Sequence, residues 1–76
     1  MPNTLTARAV NRVESDGAVI ADIVVIEENG DEYTIHCVCR PDGTEVGGAG
    51  DALEYLNERY GDVYFCTTIR EAALRA

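Results

Sequence analysis

Apolar residues recur along this chain with two different periods. Up to residue 40 they alternate with polar residues or gather in short blocks rich in Val and Ile, which is the signature of β-strands. After residue 48 they recur at three- and four-residue spacing, as on one side of a helix. Turn signals divide the first part. "SDGA" (15–18) carries Asp16-Gly17 and "ENGD" (28–31) carries Asn29-Gly30. Both dipeptides suit two-residue type I′ hairpin turns, in which both central residues take positive φ. "RPDGT" (40–44) marks a third turn. Three strands are predicted at about 4–14, 18–27 and 32–40.

The second part opens with "EVGGAGDALEYLNERYG". Asp51 is a predicted helix cap, with Glu54 three residues on as its capping-box partner. Leu53, Leu56 and Tyr60 fall on one stripe, Glu54, Asn57 and Glu58 point away from it, and Gly61 is the stop. "DVYFCTT" (62–68) is rich in β-formers and predicts a fourth strand. Thr68 and Glu71 then open a short terminal helix. The predicted order is β-β-β-α-β-α. It implies a single α+β domain over 1–76, an antiparallel meander plus a fourth strand with one face covered by one or two helices. Crossover handedness slightly favours a place for the fourth strand beside the first.

Two-residue loops fix the expected register, and register fixes faces. Ile26 is placed opposite Tyr33, Val24 opposite Ile35, Asp22 opposite Cys37 and Ile20 opposite Cys39. Across the other hairpin Val13 meets Ile20, Asn11 meets Asp22 and Ala9 meets Val24. The expected core face holds Leu5, Ala7, Ala9, Val13, Ile20, Val24, Ile26, Tyr33, Ile35, Cys37 and Cys39. It also takes in Asp22, a carboxylate that needs a hydrogen-bonding partner, for which Asn11 is the candidate. The opposite face has an apolar centre of Val10, Ala21, Ile23, Val25 and Val38 with Arg8, Arg12 and Arg40 at its margins. An apolar centre with an arginine rim suggests an interface, so Val10, Arg12, Ile23, Val25, His36, Val38 and Arg40 are candidate partner or dimer contacts. The plainer alternative is that the arginine stems simply cover β-forming residues.

The chain has 76 residues and a formal charge of −8, from 14 acids against 6 bases that are all Arg. This balance opposes direct binding to a phosphate backbone. It favours either plain solubility or a partner protein with a basic surface. The acids concentrate at one turn (Glu27, Glu28, Asp31, Glu32) and on the outer side of the helix (Glu54, Glu58), and these six are the candidate docking residues. No apolar run approaches the roughly 18 residues of a membrane span, and no leader pattern is visible, so a cytoplasmic location is expected.

The chemistry-bearing residues point away from catalysis. His36, Cys37 and Cys39 superficially suggest zinc, but adjacent strand residues face opposite ways, so His36 and Cys37 cannot converge on a metal or form a nucleophile–base pair. Three cysteines in a protein expected to be cytoplasmic are expected to be reduced and buried, although Cys66 could approach Cys37 or Cys39. "GGAGD" (47–51) lacks the Lys and Ser/Thr of a phosphate loop, and the acids lack the spacing of a calcium loop. No cofactor is expected.

In whole-chain plan the sequence resembles the small phage-encoded anti-CRISPR proteins that inhibit type I CRISPR systems. The similarity lies in the hairpin "VVIEENGDEYTIHC" followed by the helix "DALEYLNERYG" with its apolar, aromatic and acidic residues. The resemblance is one of architecture and brings no motif, so it transfers no site residue. It implies a non-enzymatic inhibitor that docks on a basic, DNA-binding surface of the surveillance complex, in the host-cell cytoplasm. The alternative is an accessory or structural protein that homodimerises through its outer sheet face.

Overall fold

The computed structural model of the chain describes residues 4–75. Four strands, β1 (Thr6–Ser15), β2 (Ala18–Ile26), β3 (Glu32–Arg40) and β4 (Gly43–Gly47), precede two helices, α1 (Asp51–Tyr60) and α2 (Asp62–Arg75). The sheet is an antiparallel meander in the order β1-β2-β3-β4, and α2 lies over β1, β2 and β3 on one face. The α+β class and the four-stranded sheet with helices on one face are as expected. The order of the last elements is not.

The fourth strand comes from "GTEVG", paired Arg40 to Gly43 across the two-residue turn Pro41-Asp42. Two glycines and an acid hide this strand from propensity, and pairing with β3 supplies what the sequence lacks. Residues 62–68, expected as a strand, form the first half of α2. The reason is the buried stripe Phe65, Ile69, Ala72 and Ala73, which has helical spacing and runs through both halves of the segment. Tertiary packing of this stripe overrides the β-propensity of "VYFCTT". Thr68, expected to cap a terminal helix, lies inside α2, where its hydroxyl donates to the Tyr64 carbonyl at 2.8 Å.

The β2–β3 register differs from expectation by one residue. The Gly30 N–H donates to the Glu27 carbonyl and the Glu27 N–H to the Asp31 carbonyl, both at 2.9 Å. The loop is therefore Glu28-Asn29-Gly30, with Gly30 at φ 95, where only a residue without Cβ sits comfortably. A third loop residue slips the pairing by one and turns every β2 side chain to the other face. Ile23 now faces Ile35, and Ala21 faces Cys37. Val19, Ala21, Ile23 and Val25 are buried under the helices, while Ile20, Asp22, Val24 and Ile26 lie outside. This arrangement keeps Asp22 out of the apolar core, and the carboxylate it buries instead, Glu27, is met by hydrogen-bond donors.

The Asp16-Gly17 turn is as expected, with φ 51 and 80 and Ser15 opposite Ala18. Further along, a bulge between Val10 and Val13 sets Asn11 and Arg12 against Ala21. Asn11 takes the left-handed conformation that this residue type tolerates (φ 53). The bulge returns Ala7 and Ala9 to the helix side, opposite Val25 and Ile23, so their expected face holds although their expected partners do not. It leaves Val13 outside, 56% exposed, against the expectation that it was core.

The corrected faces make a direct comparison. Ile23→Ala, at a fully buried position, is expected to cost about 2–5 kcal/mol, a large part of a small domain's stability. Ile20→Ala on the outer face should cost under about 1 kcal/mol. Urea titration of the two variants checks the register, and the reverse ranking would restore the two-residue loop. Thiol labelling of the folded protein should modify Cys66, which is exposed on α2, well before the buried Cys37 and Cys39.

Candidate functional site

Glu27 continues the inward alternation of β2 one residue beyond the strand, which carries its carboxylate under α1. It is 5% exposed. Three tyrosine hydroxyls donate to it: Tyr60 to Oε1 at 2.8 Å, Tyr33 to Oε2 at 3.0 Å and Tyr55 to Oε1 at 3.1 Å. Arg59 Nε lies 3.3 Å from Oε1 and its guanidinium sits 5.7 Å from the centre of the Tyr60 ring. Burial pushes the Glu27 carboxyl up, but the hydroxyls of Tyr60, Tyr33 and Tyr55 and the Arg59 charge outweigh it and hold it below the usual range. Burial and the Glu27 carboxylate push the Tyr33 hydroxyl up to about 12. A carboxylate kept ionised, with every lone pair engaged, is a structural anchor rather than a general base. It ties the β2–β3 turn to α1.

This is the principal correction to the expected docking residues: Glu27 is turned inward and presents nothing to a partner. Glu28, Asp31 and Glu32 remain exposed at the turn. Asn29 shapes that turn by accepting the Asp31 N–H at 2.9 Å. Glu54 and Glu58 are exposed on α1, beside an open groove lined by Leu53, Asn57, Gly61 and Asp62. Because Glu27 pins α1 to the turn, the two acidic groups lie at the same end of the molecule.

Of the other acids besides Glu27, four have a cationic partner, and Asp16, Asp42, Asp51 and Asp62 have none within 4.0 Å among the described residues. Glu14 pairs with Arg12, Glu45 with Arg40, Glu71 with Arg75 and Asp22 with His36. Among the described residues, Glu28, Asp31, Glu32, Glu54 and Glu58 have no cationic partner within 4.0 Å.

The outer sheet face also changes membership. Val10 and Val38 are half-buried there, and His36 and Arg40 are exposed. Ile23 and Val25, expected on this face, are in the core, and Ile20 and Val24 take their places. Arg12, expected at its margin, follows the bulge to the helix side and donates from Nε to the Ala73 carbonyl at 2.8 Å, near the C-terminal end of α2, where a cation is favoured. Asp22 sits on the outer face. His36 Nδ1 lies 3.1 Å from its Oδ1, and Asn11 Nδ2 donates to Oδ2 at 3.3 Å. These two hydrogen bonds lower the Asp22 pKa. The Asn11–Asp22 contact is thus the expected one, reached from a different register on the solvent side.

Cys37 and Cys39 face the core with sulfurs 3.5 Å apart, and His36 points away from them. Burial, then the Cys39 sulfur, pushes the Cys37 thiol up to about 12, which makes it a poor nucleophile. Cys66, placed on α2 rather than on a strand, is an exposed free thiol. Among the described residues no three His, Cys, Asp or Glu side chains converge as metal ligands. In the sequence Glu27 looks like one more acid of an acidic turn, which hides the anchor. Its signal is the strict inward alternation from Val19 to Glu27, together with three of the four tyrosines falling in the two segments that meet there.

Glu27→Gln should lower stability at neutral pH by about 1–3 kcal/mol, since it removes a buried, fully hydrogen-bonded charge. The folded-state pKa is depressed, so the native carboxylate's contribution is fully present above the unfolded value near 4.5 and is lost as pH falls through the folded value. The gap between wild type and variant should therefore narrow below about pH 4.5. Chemical denaturation at a series of pH values measures it, and a gap that widens with acid would show that Glu27 is not held as the anion.

No protein-family model, curated protein or solved structure matches the chain.

Proposed function

We propose that this chain is a non-enzymatic binding protein that docks its acidic end on the basic, nucleic-acid-binding surface of a partner protein. The partner class that best suits this is a type I CRISPR surveillance complex in the host-cell cytoplasm, which makes the chain an inhibitor of the anti-CRISPR kind. The supporting observation is the distribution of pairing. Glu28, Asp31 and Glu32 of the turn and Glu54 and Glu58 of α1 form the larger group of exposed acids with no cation within 4.0 Å among the described residues, and the others without one, Asp16, Asp42, Asp51 and Asp62, are scattered. Unpaired carboxylates at one end raise the local negative potential and steer a basic surface toward it. Glu27 supports the same reading, because its anchor holds α1 and the turn in a fixed relation and so presents their acids as one preorganised patch.

Binding to a purified type I surveillance complex, followed by pull-down and by competition with its target DNA, tests the proposal. Association should weaken as salt rises from about 50 to about 500 mM. The variant Glu28→Arg/Glu54→Arg/Glu58→Arg, altered only at exposed positions, should associate at least about tenfold more slowly. Absence of binding at low salt would remove this partner class. Binding that ignores the charge reversal would remove the acidic patch.

A further inference from the structure

The outer sheet face is a surface that the reading above leaves unused. Val13, Ile20 and Val38 form one row across β1, β2 and β3, and Val24 and Ile26 extend the apolar strip along β2. No helix covers it, since both lie on the other side of the sheet. Its charged groups are Arg8, Asp22, Glu32, His36, Arg40 and Glu45. With His36 neutral, two arginines stand against three acids, so the face is close to balanced although the chain as a whole carries −8. Two copies of so acidic a chain repel each other, and a near-neutral face is where that repulsion is weakest.

The order of residues along β3 adds complementarity. On the outer side β3 carries Glu32, Thr34, His36, Val38 and Arg40, with His36 at the centre and opposite charges four residues away on either side. A two-fold axis crossing the strands at the level of His36 exchanges the two ends. It lays Glu32 of one copy against Arg40 of the other, twice, and lays Val24 against Ile20. Arg40 already contacts Glu45 on its own chain, but a guanidinium has five N–H donors and this one is 47% exposed, so it can take a second carboxylate. The middle row is self-satisfied, because Asp22 accepts from Asn11 and from His36 within its own copy.

We infer that the outer sheet face binds a second copy of this chain, in a face-to-face antiparallel dimer with reciprocal Glu32–Arg40 pairs around an Ile20, Val24 and Val38 centre. The face measures about 30 by 15 Å from strand rise and spacing, on the order of 450 Å² per copy. That is well below the roughly 800 Å² per partner of a standard interface, so the dimer is weak and concentration-dependent. It takes Glu32 from the acidic end and leaves Glu28, Asp31, Glu54 and Glu58 free.

Sedimentation equilibrium from about 10 μM to about 1 mM spans the relevant dissociation constants. The wild-type mass should rise toward that of two chains. Ile20→Glu should stay monomeric with an unchanged circular dichroism spectrum. Glu32→Arg alone and Arg40→Glu alone should each weaken association about tenfold, and the double exchange should recover most of it. These two positions are exposed, so the test survives even if Ile20→Glu perturbs folding. A wild-type monomer at the highest concentration would overturn the proposal and assign the face to another occupant. A dimer indifferent to both Ile20→Glu and the charge exchange would also overturn it, by placing the contact elsewhere.

Discussion

The backbone of Gly30 is the constraint on which the rest of this structure depends. At φ 95 it lets the β2–β3 loop hold three residues, and loop length sets the register of the hairpin. Because side chains alternate with a period of two, that one choice decides the face of every residue in β2. It sends Val19, Ala21, Ile23 and Val25 under α2 and carries Asp22 to the solvent side. The same parity brings Glu27 inside. A two-residue loop would have reversed each of these placements and left a carboxylate among Ile35, Cys37 and the helices.

Glu27 then does for α1 what the apolar stripe does for α2. The long helix is held by Phe65, Ile69, Ala72 and Ala73, all buried against the sheet. The short one buries only Leu56 fully. It is fastened by hydrogen bonds from Tyr55 and Tyr60 and by the ion pair of Arg59, all converging on one carboxylate of the sheet. A directional anchor of this sort fixes position better than a single leucine contact does, because hydrogen bonds to an anion demand both distance and angle. The cost of burying the charge is offset by three hydroxyls and a guanidinium. The consequence is geometric: α1 and the turn are held in a fixed relation.

Among the described residues the exposed acids of the β2–β3 turn and of α1 stand without cations, and on the outer sheet face Glu45 is paired with Arg40 and Asp22 with His36. A protein with so few cations can place its six arginines at only a few acids. They stand beside Glu14, Glu45, Glu71 and the buried Glu27, with Arg8 and Arg70 left over.

Much of this fold is legible in the amino-acid sequence alone. Alternation and turn dipeptides specify the first three strands, the Asp16-Gly17 turn, the extent of α1 and the stop at Gly61, because these rest on local backbone preferences. The inward side of β3, with Cys37 and Cys39 facing the core and His36 away from it, follows from strand geometry. Three things required the tertiary structure. Asn29-Gly30 is compatible with loops of two or three residues, and only the burial of a wholly apolar β2 face chooses between them. Residues 62–68 have the composition of a strand, and only the continuation of their buried stripe through Ala73 makes them a helix. Glu27 is one acid among several in sequence, and only the approach of three tyrosines and an arginine from α1 and β3 turns it from a surface charge into the anchor of the fold. In each case local propensity left two states close in energy, and packing at a distance along the chain selected one.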